Sequence, residues 1–190
     1  SWGIAGCAND PDIDFFATLN CCDVNGTVNN NGPLCIGQTL QLSANVTTPG
    51  AVITYDWTGP DGFTSTAAAP SIPNVQLNQA GYYSVEVTVD GCISVPLFTF
   101  FQLHPQPDVT ASNSGAVCPG GSITLLGGSA SVNITGYQWT GPGGYSSNQQ
   151  NPVLNGVGAA QTGTYSVIAT DVNGCTSTAG TTDVNLLPVP

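Results

Sequence analysis

Lysine, arginine and methionine are absent from all 190 residues, and His104 and Glu86 are single representatives of their types. Against no basic residue stand ten Asp and the one Glu, a formal net charge of −11. Nucleic-acid binding depends on Lys and Arg neutralising phosphates, so that class of partner is excluded. Attraction to an anionic membrane surface fails for the same reason. No Gly-rich phosphate-binding fingerprint supplies backbone amides in place of the missing cations. The field of the chain instead favours cations such as Ca²⁺ and weakens with salt. Without Lys no Lys–Asn isopeptide staple can form, and trypsin finds no site. Without Met, Ser1 is not a translational start, so the sequence reads as a processed form or an excerpt. No run of about 18 apolar residues occurs, so membrane insertion is not expected. Helical periodicity extends nowhere beyond a turn.

Catalytic chemistry is equally short of parts. One His and no Lys leave a Ser-based triad and neutral-pH general base catalysis without partners. Paired carboxylates serve glycosidases, but the single Glu86 reads as an outward-facing mid-strand position, and Asp56 reads in the same way. The chain is expected not to be an enzyme and to need no cofactor. One metal candidate exists. Asp10, Asp12 and Asp14 alternate in "NDPDID" and offer oxygen ligands of the kind Ca²⁺ takes, yet the loop Gly and bidentate Glu of an EF-hand are missing. The competing reading is a solvated acidic stretch.

What the chain does have, it has twice. "YDWTGPDGFTST" begins at Tyr55 and "YQWTGPGGYSSN" at Tyr137, 82 positions later. Each copy is preceded by a Cys and a short alternating run, "CIGQTLQLSA" and "CPGGSITLLG", which place Leu40, Leu42 and Ala44, or Ile123 and Leu125, on one strand face. Tyr55 and Trp57, and Tyr137 and Trp139, also share a face. The "TGPDG" and "TGPGG" after them are turn chemistry, Pro presetting φ and Gly permitting positive φ. Downstream, "GYYSVEVTVDGC" and "GTYSVIATDVNGC" are half-buried strands with Tyr83, Val85, Val87 and Val89 inward in the first. They run into Asp90-Gly91 and Asn173-Gly174, two-residue hairpin signals. A closing strand follows in each, "CISVPLFTFFQL" and "CTSTAGTTDVNLL". Short strands at regular spacing with Gly, Pro and Asn turns give an all-β chain of two tandem immunoglobulin-like β-sandwiches with an extra N-terminal strand segment. The boundaries are 1–27 for the segment, 28–104 for the first domain and 105–190 for the second. Tyr55, Trp57, Tyr83, Tyr137, Trp139 and Tyr165 are assigned to the cores, and Phe63 and Tyr145 to exposed hairpins. "LHPQPDV" between the repeats is an extended, stiff linker set by Pro105 and Pro107.

Seven Cys in so short a chain indicate an oxidising compartment. Paired C-x₂₋₄-C clusters for zinc are absent. Cys35 and Cys92 are 57 positions apart, as are Cys118 and Cys175. That equality predicts one bridge per repeat, Cys35–Cys92 and Cys118–Cys175, each stabilising by roughly 4 kcal/mol through loop closure.

The order Cys, Y-x-W-T-G-P-x-G-[FY], G-x-Y-[ST]-V, G-C resembles the immunoglobulin-like and PKD-like repeats of secreted proteins of Bacteroidetes-type bacteria. Such repeats build surface adhesins, filaments and stalks of secreted enzymes. The resemblance implies a non-enzymatic extracellular, cell-surface structural protein whose partners are other copies of itself, or alternatively a carbohydrate-binding or accessory module that meets surface glycans. The chain departs from antibody domains, where the Tyr lies two residues before the second Cys. Tyr83 is nine before Cys92 and Tyr165 ten before Cys175. The bridge is therefore expected at the last hairpin, with a tyrosine-corner-like hydrogen bond at Tyr83 and Tyr165.

Residues 1–27 belong to neither repeat. Phe15 stands 20 before Cys35, and Phe98 stands 20 before Cys118, so "DFFATL" occupies the place of a closing strand. Phe15, Phe16, Ala17, Thr18 and Leu19 are the candidate assembly strand, and Cys7, Cys21 and Cys22 form an odd set suited to a further or inter-subunit disulfide. Three readings stay open. The strand packs on the first repeat, it is the remnant of a longer array, or it joins a neighbouring copy by strand addition and grows a filament. N-x-[ST] sequons stand at Asn25, Asn45 and Asn133.

Overall fold

The computed structural model describes residues 26–46, 52–131 and 133–188. The chain divides into two units, Ser1–Leu103 and His104–Pro190. In the first, the strands are β1 (Gly26–Asn30), β2 (Leu34–Cys35), β3 (Leu40–Val46), β4 (Ile53–Thr58), β5 (Thr64–Ser65), β6 (Ser71–Ile72), β7 (Gly81–Val89), β8 (Cys92–Ile93) and β9 (Leu97–Phe101), with β10 (Leu103–His104) at the boundary. The second contains β11 (Thr110–Asn113), β12 (Ile123–Gly128), β13 (Ile134–Gly141), β14 (Tyr145–Ser147), β15 (Val153–Leu154), β16 (Gly163–Asp171) and β17 (Gly180–Val184).

Both units are β-sandwiches of one topology. One sheet of the first orders its strands β1-β3-β6, and the other β5-β4-β7, with β8 and β9 both on the far side of β7. The second unit repeats this as β11-β12-β15 and β14-β13-β16-β17. Each strand pair within these four sheets is antiparallel.

Period-two alternation decides which side chains meet between the sheets. On β7, Tyr83, Val85, Val87 and Val89 point inward, while Tyr82 and Glu86 point out. They meet Leu40, Leu42 and Ala44 of β3 and Trp57 of β4. Ile123, Leu125, Trp139, Tyr165 and Val167 make the equivalent core in the second unit. Tyr55 and Tyr137 pack on these cores half-buried. Burial of Trp leaves an indole N–H to satisfy, and each finds a carbonyl: Trp57 Nε1 donates to Ala67 O at 2.8 Å, and Trp139 Nε1 to Gln150 O at 3.1 Å.

The tyrosine-corner expectation holds in both units. Tyr83 Oη donates to Gln79 O at 2.9 Å and Tyr165 Oη to Gln161 O at 3.0 Å. Phe63 and Tyr145, expected to be exposed, are half-buried instead. Each packs edge-on against the corner tyrosine with ring centroids 5.4 Å apart, so the hairpin aromatics extend the core. The tight Pro turn before them folds the ring back: Asp61 and Gly62 take φ of 58° and 69°, and Gly143 and Gly144 take 67° and 75°.

The closing segment of the first unit is not one strand. Ser94 lies between β8 and β9, and its side chain replaces part of the ladder: Ser94 N donates to Val87 O at 2.8 Å, while Ser94 Oγ accepts from Val87 N at 3.0 Å. Ser177 does the same for Ala169. Both serines are buried, and no buried side-chain N or O among the described residues lacks a partner. A third anchor ties the two sheets. Asn30 Nδ2 of β1 donates to Thr99 Oγ1 and Phe100 O of β9, and Asn113 Nδ2 of β11 to Thr182 Oγ1 and Asp183 O of β17.

Gly59 and Gly141 lie flat beneath the corner rings, where a Cβ would stand 2.4 Å from Tyr83 Cδ1 and from Tyr165 Cδ1. Their φ values of −169° and −171° are extended, so the requirement is steric and not conformational. Gly59→Ala is expected to destabilise the first unit, and Gly141→Ala the second, by about 1–3 kcal/mol, as overpacking does. Denaturant unfolding followed by tryptophan fluorescence checks this, and an unchanged midpoint would contradict the contact.

Candidate functional site

Cysteine placement departs from the expected pairing. Cys35 and Cys175 are each disulfide-bonded, whereas Cys92 and Cys118 are free and exposed. Neither Cys35–Cys92 nor Cys118–Cys175 is formed. The reason is strand length. Leu34 N bonds Gln102 O, and Phe101 pairs with Gly81, so Cys35 lies at the Gly81 end of β7. Cys92 pairs with Val89 at the other end. Eight residues at about 3.3 Å each separate the two ends by roughly 26 Å. A disulfide needs Cα atoms within about 7 Å. In the second unit Val117 bridges Leu186, beyond the Val184–Gly163 pair, while Cys175 O accepts from Asp171 N at the opposite end of β16. The equal spacings record equivalent positions in two frames, not partners within one.

The hairpins at this end differ by one residue. Val89 and Cys92 flank Asp90-Gly91, both in the left-handed region with φ of 49° and 87°, as expected of this dipeptide. In the second unit Val172 lengthens the loop. The Asp171 carboxylate closes it by accepting from Asn173 N and Cys175 N, each at 2.9 Å. Cys175 is fully buried there, while Cys92 is exposed.

Exposed aromatics are found where the sequence reading did not place them. On the outer face of β7 and β9, Tyr82 is 68% exposed, Phe98 63% and Phe100 56%. Tyr82 lies opposite Phe100 with ring centroids 5.0 Å apart, and Ser84 lies opposite Phe98. The period-two alternation of "GYYSV" against "LFTFF" carried this signal, since one Tyr of the pair and alternate Phe residues had to face out. The equivalent face of the second unit is polar: Thr164, Thr181 and Asp183, with Thr164 Oγ1 donating to Asp183 Oδ1 at 2.7 Å. Asp56 and Glu86 stand directly opposite on β4 and β7, side by side on the outer face. Among the described residues no group of three or more His, Cys, Asp or Glu side chains could hold a metal. The assembly-strand residues Phe15 to Leu19, the candidate Ca²⁺ ligands Asp10, Asp12 and Asp14, the cysteines Cys7, Cys21 and Cys22, and Asn25 lie outside the described residues. Asn45 and Asn133 are exposed.

Pro105 and Pro107 line a surface groove of about 400 Å³ in the second unit, with Ser131 and Asp171 across it. Beside it Asp108 organises the turn at Ser129–Ser131. Its carboxylate accepts from Ser131 N at 2.8 Å and from the Ser131 hydroxyl, and Ser129 Oγ donates to Asp108 O at 2.7 Å. These bonds are internal to the fold and leave a structural role for the acid.

The PKD-domain family model matches residues 25–94, most of the first sandwich. No curated protein matches the sequence. Among solved structures, murine CEACAM1b is 13% identical over 87% of this chain and 100% of that one, with a TM-score of 0.41. The three N-terminal domains of the highly immunogenic outer capsid protein of bacteriophage RB49 are 17% identical over 86% of this chain and 58% of that one, TM-score 0.42. The fibronectin(III)-like modules of Clostridium thermocellum CbhA are 17% identical over 84% and 94%, TM-score 0.37. Likeness at this level concerns the fold alone. A PKD match together with disulfide-bonded Cys35 and Cys175 fits an extracellular, non-catalytic module, and no helix among the described residues is long and apolar enough to cross a membrane.

Hydrogen bonding, led by the Ser131 hydroxyl, holds the Asp108 carboxyl below its ordinary range. Desolvation pushes Asp171 upward, but the donors on Cys175 and Asn173 outweigh it, and that carboxyl is also lowered. A carboxyl lowered by folding stabilises at neutral pH, and the contribution is lost as pH falls through the folded value. Asp108→Asn is expected to lower the unfolding midpoint of the second unit at neutral pH, with the gap to the parent closing on acidification. A gap that is independent of pH would contradict this.

Proposed function

We infer that the chain is a non-enzymatic extracellular structural protein, a repeat subunit of a cell-surface filament or adhesin stalk whose principal partners are other copies of itself. The observation that carries this reading is the duplication of one frame down to its anchors. The Trp indole on a carbonyl, the Tyr phenol on a carbonyl and the Asn amide between sheets occur in both units. What is duplicated is support, not a reactive group. The missing trypsin sites and the bonded cysteines suit exposure to an oxidising, protease-rich exterior. On this reading the segment Phe15–Leu19 supplies an assembly strand to a neighbouring copy. Negative-stain electron microscopy of the native, non-reduced protein tests it. Regular fibres are the expected result, and dispersed monomers at every concentration would overturn it.

A second reading is favoured by one observation, the aromatic face of Tyr82, Phe98 and Phe100. Aromatic faces stack on sugar rings without needing a cation, so a neutral glycan suits a chain of this charge. If the chain is a carbohydrate-binding module, calorimetry against neutral polysaccharides gives a binding heat that Phe100→Ala abolishes. No heat with any of them would remove this reading.

A further inference from the structure

The two sandwiches share their core, their corner tyrosine and their Asn bridge, and part company on one outer face. In the first unit Tyr82 lies opposite Phe100 and Ser84 opposite Phe98, and all three aromatic side chains are more than half exposed. The same register positions of the second unit hold Thr164 opposite Asp183 and Ser166 opposite Thr181. A single exposed apolar residue is ordinary, but adjoining aromatics on one sheet face mark a contact surface.

What precedes each unit differs in the same sense. In the second, β11 follows the closing strand β9 of the first through the short Pro linker. In the first, β1 follows 25 residues that include the apolar run Phe15–Leu19. The aromatic face therefore occurs in the unit with a spare apolar segment before it, and the polar face in the unit without one.

Chain connectivity brings that segment within reach. A Cβ on Gly26 would stand 3.2 Å from Leu97 Cδ1, so β1 begins beside the start of β9, one residue from Phe98. Six residues, 20–25, join Leu19 to Gly26. Fully extended they span about 20 Å. Phe98 and Phe100 are about 7 Å apart along their strand, and β7 lies about 5 Å across, so the whole face falls inside that radius. The segment cannot simply widen the sheet at β9, because carbonyls there are taken. Asn30 Nδ2 donates to Phe100 O at 3.0 Å, and Leu34 N to Gln102 O at 3.2 Å. The face is what stays open. A whole second copy would bring its own charge of −11 against the first, whereas Phe15–Leu19 carries no charge. Alternation along an extended segment sets Phe15, Ala17 and Leu19 on one side.

We propose that the outer face of β7 and β9 is the seat of residues 15–19 of the same chain, with Phe15, Ala17 and Leu19 laid over Tyr82, Phe98 and Phe100. The seat involves one chain and does not rest on the subunit reading. Its consequence for assembly does rest on it. A segment held in this way has to leave its own unit before it serves a neighbour, and exchange then repeats the same contact between copies.

Chymotrypsin tests the seat, since it cleaves after Phe and so has sites at Phe15 and Phe16 where trypsin has none. The whole chain is digested briefly, and mass spectrometry reads the rate of those two cuts, which follows the population of the released segment. Phe100→Ser and Leu19→Ser are each expected to speed the cuts roughly ten-fold, the change produced by losing about 1.4 kcal/mol. Phe98→Ser, at a second exposed position, is expected to do the same, so that the result does not hang on the folding of one variant. Phe100→Ser and Leu19→Ser combined are expected to cut hardly faster than either alone, because both remove one contact. Gains that multiply in the double variant would overturn the seat. So would cleavage at the parent rate in both Phe98→Ser and Phe100→Ser. Protection of the parent that rises with protein concentration would place a neighbour's segment on the face and overturn the seat within one chain. Binding heat from a neutral polysaccharide, with equal cleavage in every variant, would assign the face to a glycan instead. Accelerated cleavage in the variants of a protein that forms no fibres would leave the seat standing and remove the subunit reading. Fibres together with equal cleavage in every variant would do the reverse.

Discussion

The contact on which each sandwich depends is a phenol ring lying on a glycine. Tyr83 and Tyr165 come from the long central strands β7 and β16, and their rings rest where Gly59 and Gly141 have no side chain. That approach brings the Pro turn onto the core and lets Phe63 or Tyr145 stack edge-on against the same ring. It also aims the hydroxyl at the carbonyl of Gln79 or Gln161, which fixes the loop entering the strand. One ring therefore joins a turn, a loop and two strands. Burial raises both phenol pKa values, with the Asp61 charge adding to the effect at Tyr83 and Tyr145 adding to it at Tyr165. The phenol stays protonated and remains a donor.

Around this contact, polar groups inside or between the sheets are handled by single side chains. Ser94 and Ser177 replace a missing stretch of ladder, and Asn30 and Asn113 bridge sheets that share no strand pairing. With desolvation of an unmet amide costing about 1–3 kcal/mol, such residues are as consequential as the apolar core. They are small and common types, spread among the many Ser, Thr and Asn of the chain, and nothing in their spacing distinguishes them from solvated neighbours.

Period-two alternation made most of the architecture readable. Leu40, Leu42, Trp57, Tyr83, Val85 and Val87 are buried where the pattern put them, and the Tyr corner followed from the position of Tyr relative to the hairpin. The disulfide pairing was not readable. An interval of 57 residues that recurs in both repeats states that Cys35 and Cys118, and Cys92 and Cys175, hold corresponding places in two frames. Whether the two cysteines of one repeat meet depends on which end of a strand each occupies, and that is a property of register. Phe63 and Tyr145 misled for a related reason: turn composition implied exposure, while the left-handed positions after Pro folded the rings inward. The exposed aromatics came instead from the half of the alternation that faces out.

The amide of Asn30 has a consequence for a sandwich held in a chain under tension. Because the polypeptide enters and leaves at opposite ends, a pull along it loads the five β1–β3 pairs in shear, all at once, and does not unzip them one by one. The β7–β9 pairs are loaded in the same way. Asn30 Nδ2 sits between the two loaded strands, on Thr99 Oγ1 and Phe100 O. It passes part of the force directly from the first strand to the last, so that the tryptophan core bears less of it than the topology alone would impose.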